Sequence, residues 1–316
     1  MAVSRAGNYQ DYSSSSSSKL IQQLYSKKLR KYYYEYDVIP YITNKDAENQ
    51  SSIKQMGDKV IFRSLPDITT YNYSKGQSIT PQYVVADALE LEIDKAKGFF
   101  IGLDNIDKFQ MDINYLDECA QHGARILSTD ICTAFLADIP DSANASNAGT
   151  SAGYKSANIN LGTSGSPRVL TKDNIIYWFN DMQQVLSEYD IPDDGKRHVT
   201  ISPAIYNMIM SSDLKNASFM GNGKSFLATG EHVGELAGFK IHVTNSVETA
   251  TDGSYKTFNV IFNHMDAIAF CMQITESKLI ETLETTHGSA FRALSVYGYK
   301  SVQDKGLGLS YVAVQN

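Results

Sequence analysis

The stretch Ser218–Ser225, SFMGNGKS, ends in Gly223-Lys224-Ser225, the closing tripeptide of a phosphate-binding loop. In such a loop backbone N–H groups and the lysine converge on phosphate at a helix N-terminus, and the hydroxyl reaches a metal ion. The full motif needs another glycine five positions before Gly223, with four residues between them, and that place holds Ser218. The motif must also lie between a strand and a helix. Here SPAIYNMIMSSDL before it reads as helix, and FLATGEHVGEL after it has no helical pattern. Gly221, Asn222, Gly223 and Lys224 therefore read as a glycine loop, with a nucleotide-binding enzyme built on Gly223-Lys224-Ser225 kept as the alternative. Of the six histidines, His198, His232 and His242 are candidates to converge, but no HxxxH or HExxH spacing supports a metal site. His242, in the strand IHV, reads as an ordinary satisfied residue. Glu90, Glu92 and Asp94 alternate along a strand, which places them on one open face, solvated or turned to a partner, and not in a buried acid–base pair. No GxSxG nucleophile elbow occurs. The expectation is no catalytic residue, no metal and no cofactor.

The balance of charge and apolar residues narrows the class. A chain of 316 residues that is 42% hydrophobic and 20% charged can bury a core. Its net charge of −7 argues against tight nucleic-acid binding, which needs clustered Lys and Arg. It does not argue against enclosing nucleic acid without gripping it. Cys119, Cys132 and Cys271 are scattered and odd in number, so they read as buried thiols in a reducing compartment. No apolar run reaches membrane-span length, and MAVSRAGNYQ has no signal-peptide core. The N-x-S sequons at Asn49, Asn72, Asn144 and Asn216 are then chance matches.

The elements come next. Residues 1–18 are polar and end in six serines, a flexible arm. Leu20, Leu24 and Leu29 suggest a short helix among Lys and Arg residues, followed by Tyr32, Tyr33, Tyr34 and Tyr36, an aromatic cluster that wants a surface to lie on. VIFRSLPDITTYNYSKGQSI and ALELEID read as two legs of a hairpin with its tip near Gly76. Legs of about 14 residues would reach on the order of 45 Å, and a lone two-stranded hairpin is marginal in water. Ile106, Phe109, Ile113, Leu116, Ala120, Ala124, Leu127, Ile131 and Ala134 alternate in steps of three and four, an amphipathic helix with Asp104 as N-cap, Pro140 beyond its end and a bend at Gly123. Residues 141–168 form a small-residue loop with strand pieces around Tyr154–Leu161. A second helix buries Ile175, Trp178, Phe179, Met182, Val185 and Leu186, with Thr171 and Asn174 at its start. A strand follows at His198–Ile201, then a helix opened by Pro203. GFKIHV, FNVIFNH, Leu294–Ser301 and Leu307–Val314 read as strands, and AIAFCMQ as helix or strand. The class is α+β.

The order of these parts resembles the major capsid protein of tailed bacteriophages, the HK97-type shell fold. GDKVIFRSLPDITTYNYSKGQ with LELEIDKAKGFFIGLDNIDKFQ resembles that family's extended loop entering its spine helix. LSEYDIPDDGKRHVTISPAIYNMIM, with Pro192, Arg197, Ser202 and Pro203, resembles its axial domain, closed by GELAGFKIHVTNSV. FNHMDAIAFCMQ and AFRALSVYGYKSVQDKGLGLSYVAV resemble its peripheral strands. The resemblance implies an N-terminal arm at 1–53, an extended hairpin loop at 54–102, the spine helix and first part of the peripheral domain at 103–168, an inserted axial domain at 169–254 and the rest of the peripheral domain at 255–316. It implies self-assembly into hexamers and pentamers of an icosahedral shell around double-stranded DNA. It further implies a separate scaffolding protein, a portal protein, room for a decoration protein, and location in the virion after assembly in the bacterial cytoplasm, with no membrane. Arg63, Leu65, Asp67, Tyr71, Tyr73, Lys75, Tyr32, Tyr33 and Tyr34 become inter-subunit contact candidates, Lys75 also a position for a crosslinking lysine. Gly221–Lys224 become candidates for a loop near a capsomer axis. An encapsulin-like shell of non-viral origin shares the fold and is the nearer alternative.

Overall fold

A computed structural model describes residues 37–44, 59–63, 68–83, 88–104, 115–212, 234–253, 255–281 and 288–314. The strands are β1 (Lys59–Arg63), β2 (Ala88–Glu92), β3 (Lys95–Asp104), β4 (Arg168–Leu170), β5 (Arg197–Ile201), β6 (Glu235–Leu236), β7 (Phe239–Val243), β8 (Thr249–Asp252), β9 (Tyr255–His264), β10 (Ile268–Ile280), β11 (Gly288–Ser301) and β12 (Leu307–Val314). The helices are α1 (Ile39–Ile42), α2 (Tyr115–Asp138), α3 (Ile175–Glu188) and α4 (Pro203–Ser211). Strands β4, β12, β9, β5, β7 and β6 hydrogen-bond in that order, and β8 pairs with β9. A second sheet runs β10-β11-β3, and β1-β2 form a separate ribbon.

Period sets the layers. In α3 the six positions expected to be buried all are, and they meet Val199, Ile201, Phe239 and Phe262 on one face of the large sheet. The Trp178 indole N–H donates to Ser310 Oγ at 2.9 Å, and Ser310 donates on to the Leu161 carbonyl at 2.8 Å, so the one tryptophan is buried and satisfied. Ser202 caps α4 by accepting from Ile205 N–H, with Pro203 at its first position. On the other face Ile261 joins Ile39 and Ile42 of α1, Ile131, Phe135 and Leu136 of α2, and Phe270 and Tyr297 of the small sheet. A third small cluster, Val60, Leu91, Ile93, Ala269, Cys271 and Val296, seats the ribbon on the small sheet.

Several expectations need correction. Asp104 is not a helix cap; it is the last residue of β3, paired with Gly288. Residues 95–104 alternate in exposure with period two, and their ten-residue ladder to β11 places them in the small sheet and not in the expected hairpin loop. The hairpin region therefore does not run to Gly102. The spine helix begins within the described residues at Tyr115 and spans 24 residues; Ile106, Phe109 and Ile113 lie outside them. Gly123 is there for space: a Cβ would sit 2.6 Å from the Phe99 ring. Around Tyr154–Leu161 only the bridge Ala152–Ile159 forms, between turns. AIAFCMQ is strand. The expected boundary at 254 falls between hydrogen-bonded neighbours, since Thr249 pairs with Phe258, and β9 and β12 share the large sheet with β5.

Candidate assembly surface

Beyond the ribbon the chain runs extended from Ile68 to Tyr83 with no strand ladder, and every residue of it is exposed. The two expected long legs thus reduce to the five-residue pairing of β1 with β2, from Lys59↔Glu92 to Arg63↔Ala88. The tip is where it was expected. Gln77 N–H donates to the Ser74 carbonyl at 3.0 Å and Ser74 N–H to Gln77 Oε1 at 3.0 Å, around Gly76 at φ +88°, a value that favours glycine. Thr69 ties the legs by donating its N–H and its hydroxyl to Gln82 Oε1 at 3.2 and 3.0 Å.

Among polar residues this loop carries five large apolar side chains in water. Ile68 is 76% exposed, Tyr83 88%, and Tyr71, Tyr73 and Ile79 also face water. Of the sequence candidates the loop gathers Tyr71, Tyr73 and Lys75 near one tip. Arg63 ends β1 at the loop's base. Leu65, Asp67, Tyr32, Tyr33, Tyr34, and Gly221, Asn222, Gly223 and Lys224 lie outside the described residues. The last described element before Gly223-Lys224-Ser225 is helix α4 and the next after it is strand β6.

The loop's base is tied down electrostatically, which the sequence reading missed. Lys59 Nζ reaches Glu90 at 2.8 Å and Glu92 at 2.6 Å. The hydrogen bonds to Glu90 and Glu92 hold the Lys59 ammonium above its ordinary range. Lys300 donates to the Glu90 carbonyl at 3.0 Å. Next to it, Lys95 donates to Asp138 Oδ2 at 2.5 Å and to the Tyr299 hydroxyl at 2.6 Å, and Tyr299 donates to the same carboxylate oxygen at 2.5 Å. Burial and the hydrogen bond to Asp138 push the Tyr299 phenol up to about 12. This cluster joins β3, β11 and the end of α2. The ribbon also crosses β11 at zero clearance: a Cβ on Gly298 would lie 2.3 Å from the Glu92 carbonyl oxygen. Gly298→Val is therefore expected to lift the ribbon and cost about 2–3 kcal/mol, read as a lower urea midpoint at unchanged slope.

Two of the candidate histidines do meet. His198 Nδ1 and His242 Nε2 are 2.9 Å apart on adjacent strands, the rings stack, and Tyr41 of α1 stacks on His242. His232 lies outside the described residues, and among the described residues no group of three His, Cys, Asp or Glu is placed to hold a metal. Burial, then the neighbouring His242, Lys240 and His264, lowers His198 to about 4; burial and Lys240 lower His242 to about 4. Both are neutral in the fold and titrate near 6.5 when unfolded. As pH falls through 6.5 the unfolded chain gains protons that the fold refuses, so stability drops from there to about pH 4. The expected loss at pH 5 is on the order of 2 kcal/mol for each histidine, and His242→Gln should remove roughly half of that pH dependence in urea titrations.

The fold has solved counterparts. A structure from Mycobacterium phage Che8 superposes with TM-score 0.72 at 20% identity, covering 92% of this chain and 97% of that one. The capsid structure of cyanophage P-SCSP1u gives 0.67 at 11% identity over 95% and 94%. The asymmetric unit of the bacteriophage PhiM1 mature capsid gives 0.66 at 13% identity over 98% of both. No family profile matches the chain, and no curated protein matches its sequence. At these identities the likeness establishes the fold, and that fold is the HK97-like one of tailed-phage capsid structures.

Proposed function

We propose that this chain is a major capsid protein that self-assembles, as hexamers and pentamers, into the icosahedral shell of a tailed phage and encloses its double-stranded DNA. The observation that carries this reading is the apolar loop 68–83, held out from the subunit on a tethered base in a fold shared along nearly its whole length with phage capsid structures. Ile68, Tyr71, Tyr73, Ile79 and Tyr83 are gathered on one extended loop, and such a gathering marks an interaction surface. A symmetric shell supplies the cover, because each subunit offers one patch to a neighbour's different patch. Arg63, Leu65, Asp67, Tyr71, Tyr73 and Lys75 are then contacts of the loop with that neighbour. Gly221–Lys224 lie toward a capsomer axis. The acidic balance lets DNA be enclosed without being immobilised.

In this reading the role is structural and not catalytic. Residues 1–53 act as arm, 169–254 as axial domain, and 103–168 with 255–316 as peripheral domain, the loop of 54–102 giving up β3 to the peripheral part. Assembly in the bacterial cytoplasm uses a separate scaffolding protein and a portal protein, with a decoration protein as an added partner. Electron microscopy of the purified protein, expressed with and without its scaffold, tests it. Closed shells tens of nanometres wide are expected. A protein that stays monomeric under both conditions, or one that binds ATP through Gly223-Lys224-Ser225, would count against it.

A further inference from the structure

Between α2 and the inner face of the small sheet lies an apolar groove of about 410 Å³, walled by Ala120, Ala124 and Leu127 on one side and Phe99 and Phe291 on the other. Asp37 stands at its rim. There the chain is pinned: Asp37 Oδ1 accepts from Ile39 N–H at 3.1 Å, and Asp37 Oδ2 accepts from Ser128 Oγ at 2.8 Å. The 36 residues that precede Asp37 lie outside the described residues, and Asp37, where the description begins, lines the groove.

We infer that this groove is the seat of the chain's own segment Leu20–Tyr36, laid alongside α2 in the same subunit. Three observations converge on this occupant. The first is where the segment joins the fold, one hydrogen bond from Ser128. The second is spacing. Ile21, Tyr25, Leu29, Tyr33 and Tyr36 recur in steps of four and three, one apolar face of a helix. Counted back from Asp37 against Ser128 at the same rise per residue, Tyr33 falls level with Ala124 and Leu29 with Ala120. Large side chains thus meet the two small residues of the α2 wall. The third is charge. By the same count Lys27 falls level with Glu118 and Lys28 with Cys119, beside the acidic first turn of α2 that holds Asp117 and Glu118. A neighbour's loop would satisfy the apolar wall but not the fixed point at Asp37. The inference narrows the proposed role of the arm: Tyr33 seats in its own subunit, while Tyr32 and Tyr34, each about 100° away around a helix, stay turned outward for a neighbour.

The test is a pair of cysteines in the full chain, Tyr33→Cys with Ala124→Cys, in a Cys119→Ser background. It is oxidised mildly in unassembled subunits as well as in shells, so it reads independently of shell formation. The expected result is a disulfide within one chain in most molecules, seen as a linked peptide after proteolysis and as unchanged monomer mass on a non-reducing gel. No disulfide, or a bond between chains that marks a second copy as occupant, would overturn the inference. A separate variant guards against misfolding of the pair. Leu29→Asp at native circular dichroism should raise the fluorescence of an apolar dye such as ANS several-fold by opening the groove. Unchanged dye fluorescence would overturn it too.

Discussion

Replacing residues 68–83 with a short Gly-Ser linker is expected to leave a folded subunit that forms no stable shell. Two halves of the structure argue this separately. Every residue removed is exposed, and the hydrogen bonds between Thr69 and Gln82 and between Ser74 and Gln77 lie within the loop. Its loss should therefore change subunit stability by no more than about 0.5 kcal/mol, as exposed sites do. The base remains, since Val60 and Leu91 are buried against Ala269 and Val296, and Lys59 keeps both glutamates. Assembly is different. Five exposed large apolar side chains leave with the loop, and burying one such side chain is worth about 1.5–3 kcal/mol. Multiplied over the contacts of a shell, that is the difference between assembly and none. Urea melts and sedimentation of the same preparation check the two halves together.

Arg197→Met should be the most damaging single change near the large sheet, at about 3 kcal/mol. The guanidinium is buried at the start of β5, where it closes the turn that leads out of α3. It donates to the carbonyls of Ile191 at 2.5 Å and Pro192 at 3.2 Å and to Ser187 Oγ at 3.2 Å. Burial lowers its pKa, opposed by Asp193 and Asp194, and the group stays charged. Methionine fills the volume but leaves buried acceptors unpaired, and hydrogen bonds to a charged group are worth about 1.5–3 kcal/mol each. Lysine keeps the charge but not the planar fork that serves three acceptors, so Arg197→Lys should recover little. Chemical denaturation of the three proteins at one pH measures it.

Legibility followed period and sequence distance. Helix α3 could be read to the residue because Ile175, Trp178, Phe179, Met182, Val185 and Leu186 repeat at helical spacing on a single-sided element. The turn at Gly76 was legible from its local chemistry. Strand β3 was assigned to the extended loop, and Asp104 to a helix cap, because only the partner β11, some 190 residues on, shows that Lys95–Asp104 belongs to the small sheet. The β-forming Val60–Phe62 and the alternating Leu89, Leu91 and Ile93 promised a long ladder, yet a ladder needs cross-strand pairs, and those stop at Arg63 and Ala88. Lys59 was not seen as a partner of Glu90 and Glu92 because the register alone brings residues 31 apart together. The meeting of His198 with His242 depends likewise on the parallel pairing of β5 with β7.

The central claim is that loop 68–83 finds its cover on a neighbouring subunit. A reconstruction of assembled particles at side-chain resolution tests it most directly. The account predicts density for Tyr71, Tyr73 and Tyr83 lying over an adjacent subunit, with the ribbon of β1 and β2 still seated at Gly298 of its own. A loop folded back on its own subunit, or left in solvent within a closed shell, would contradict it.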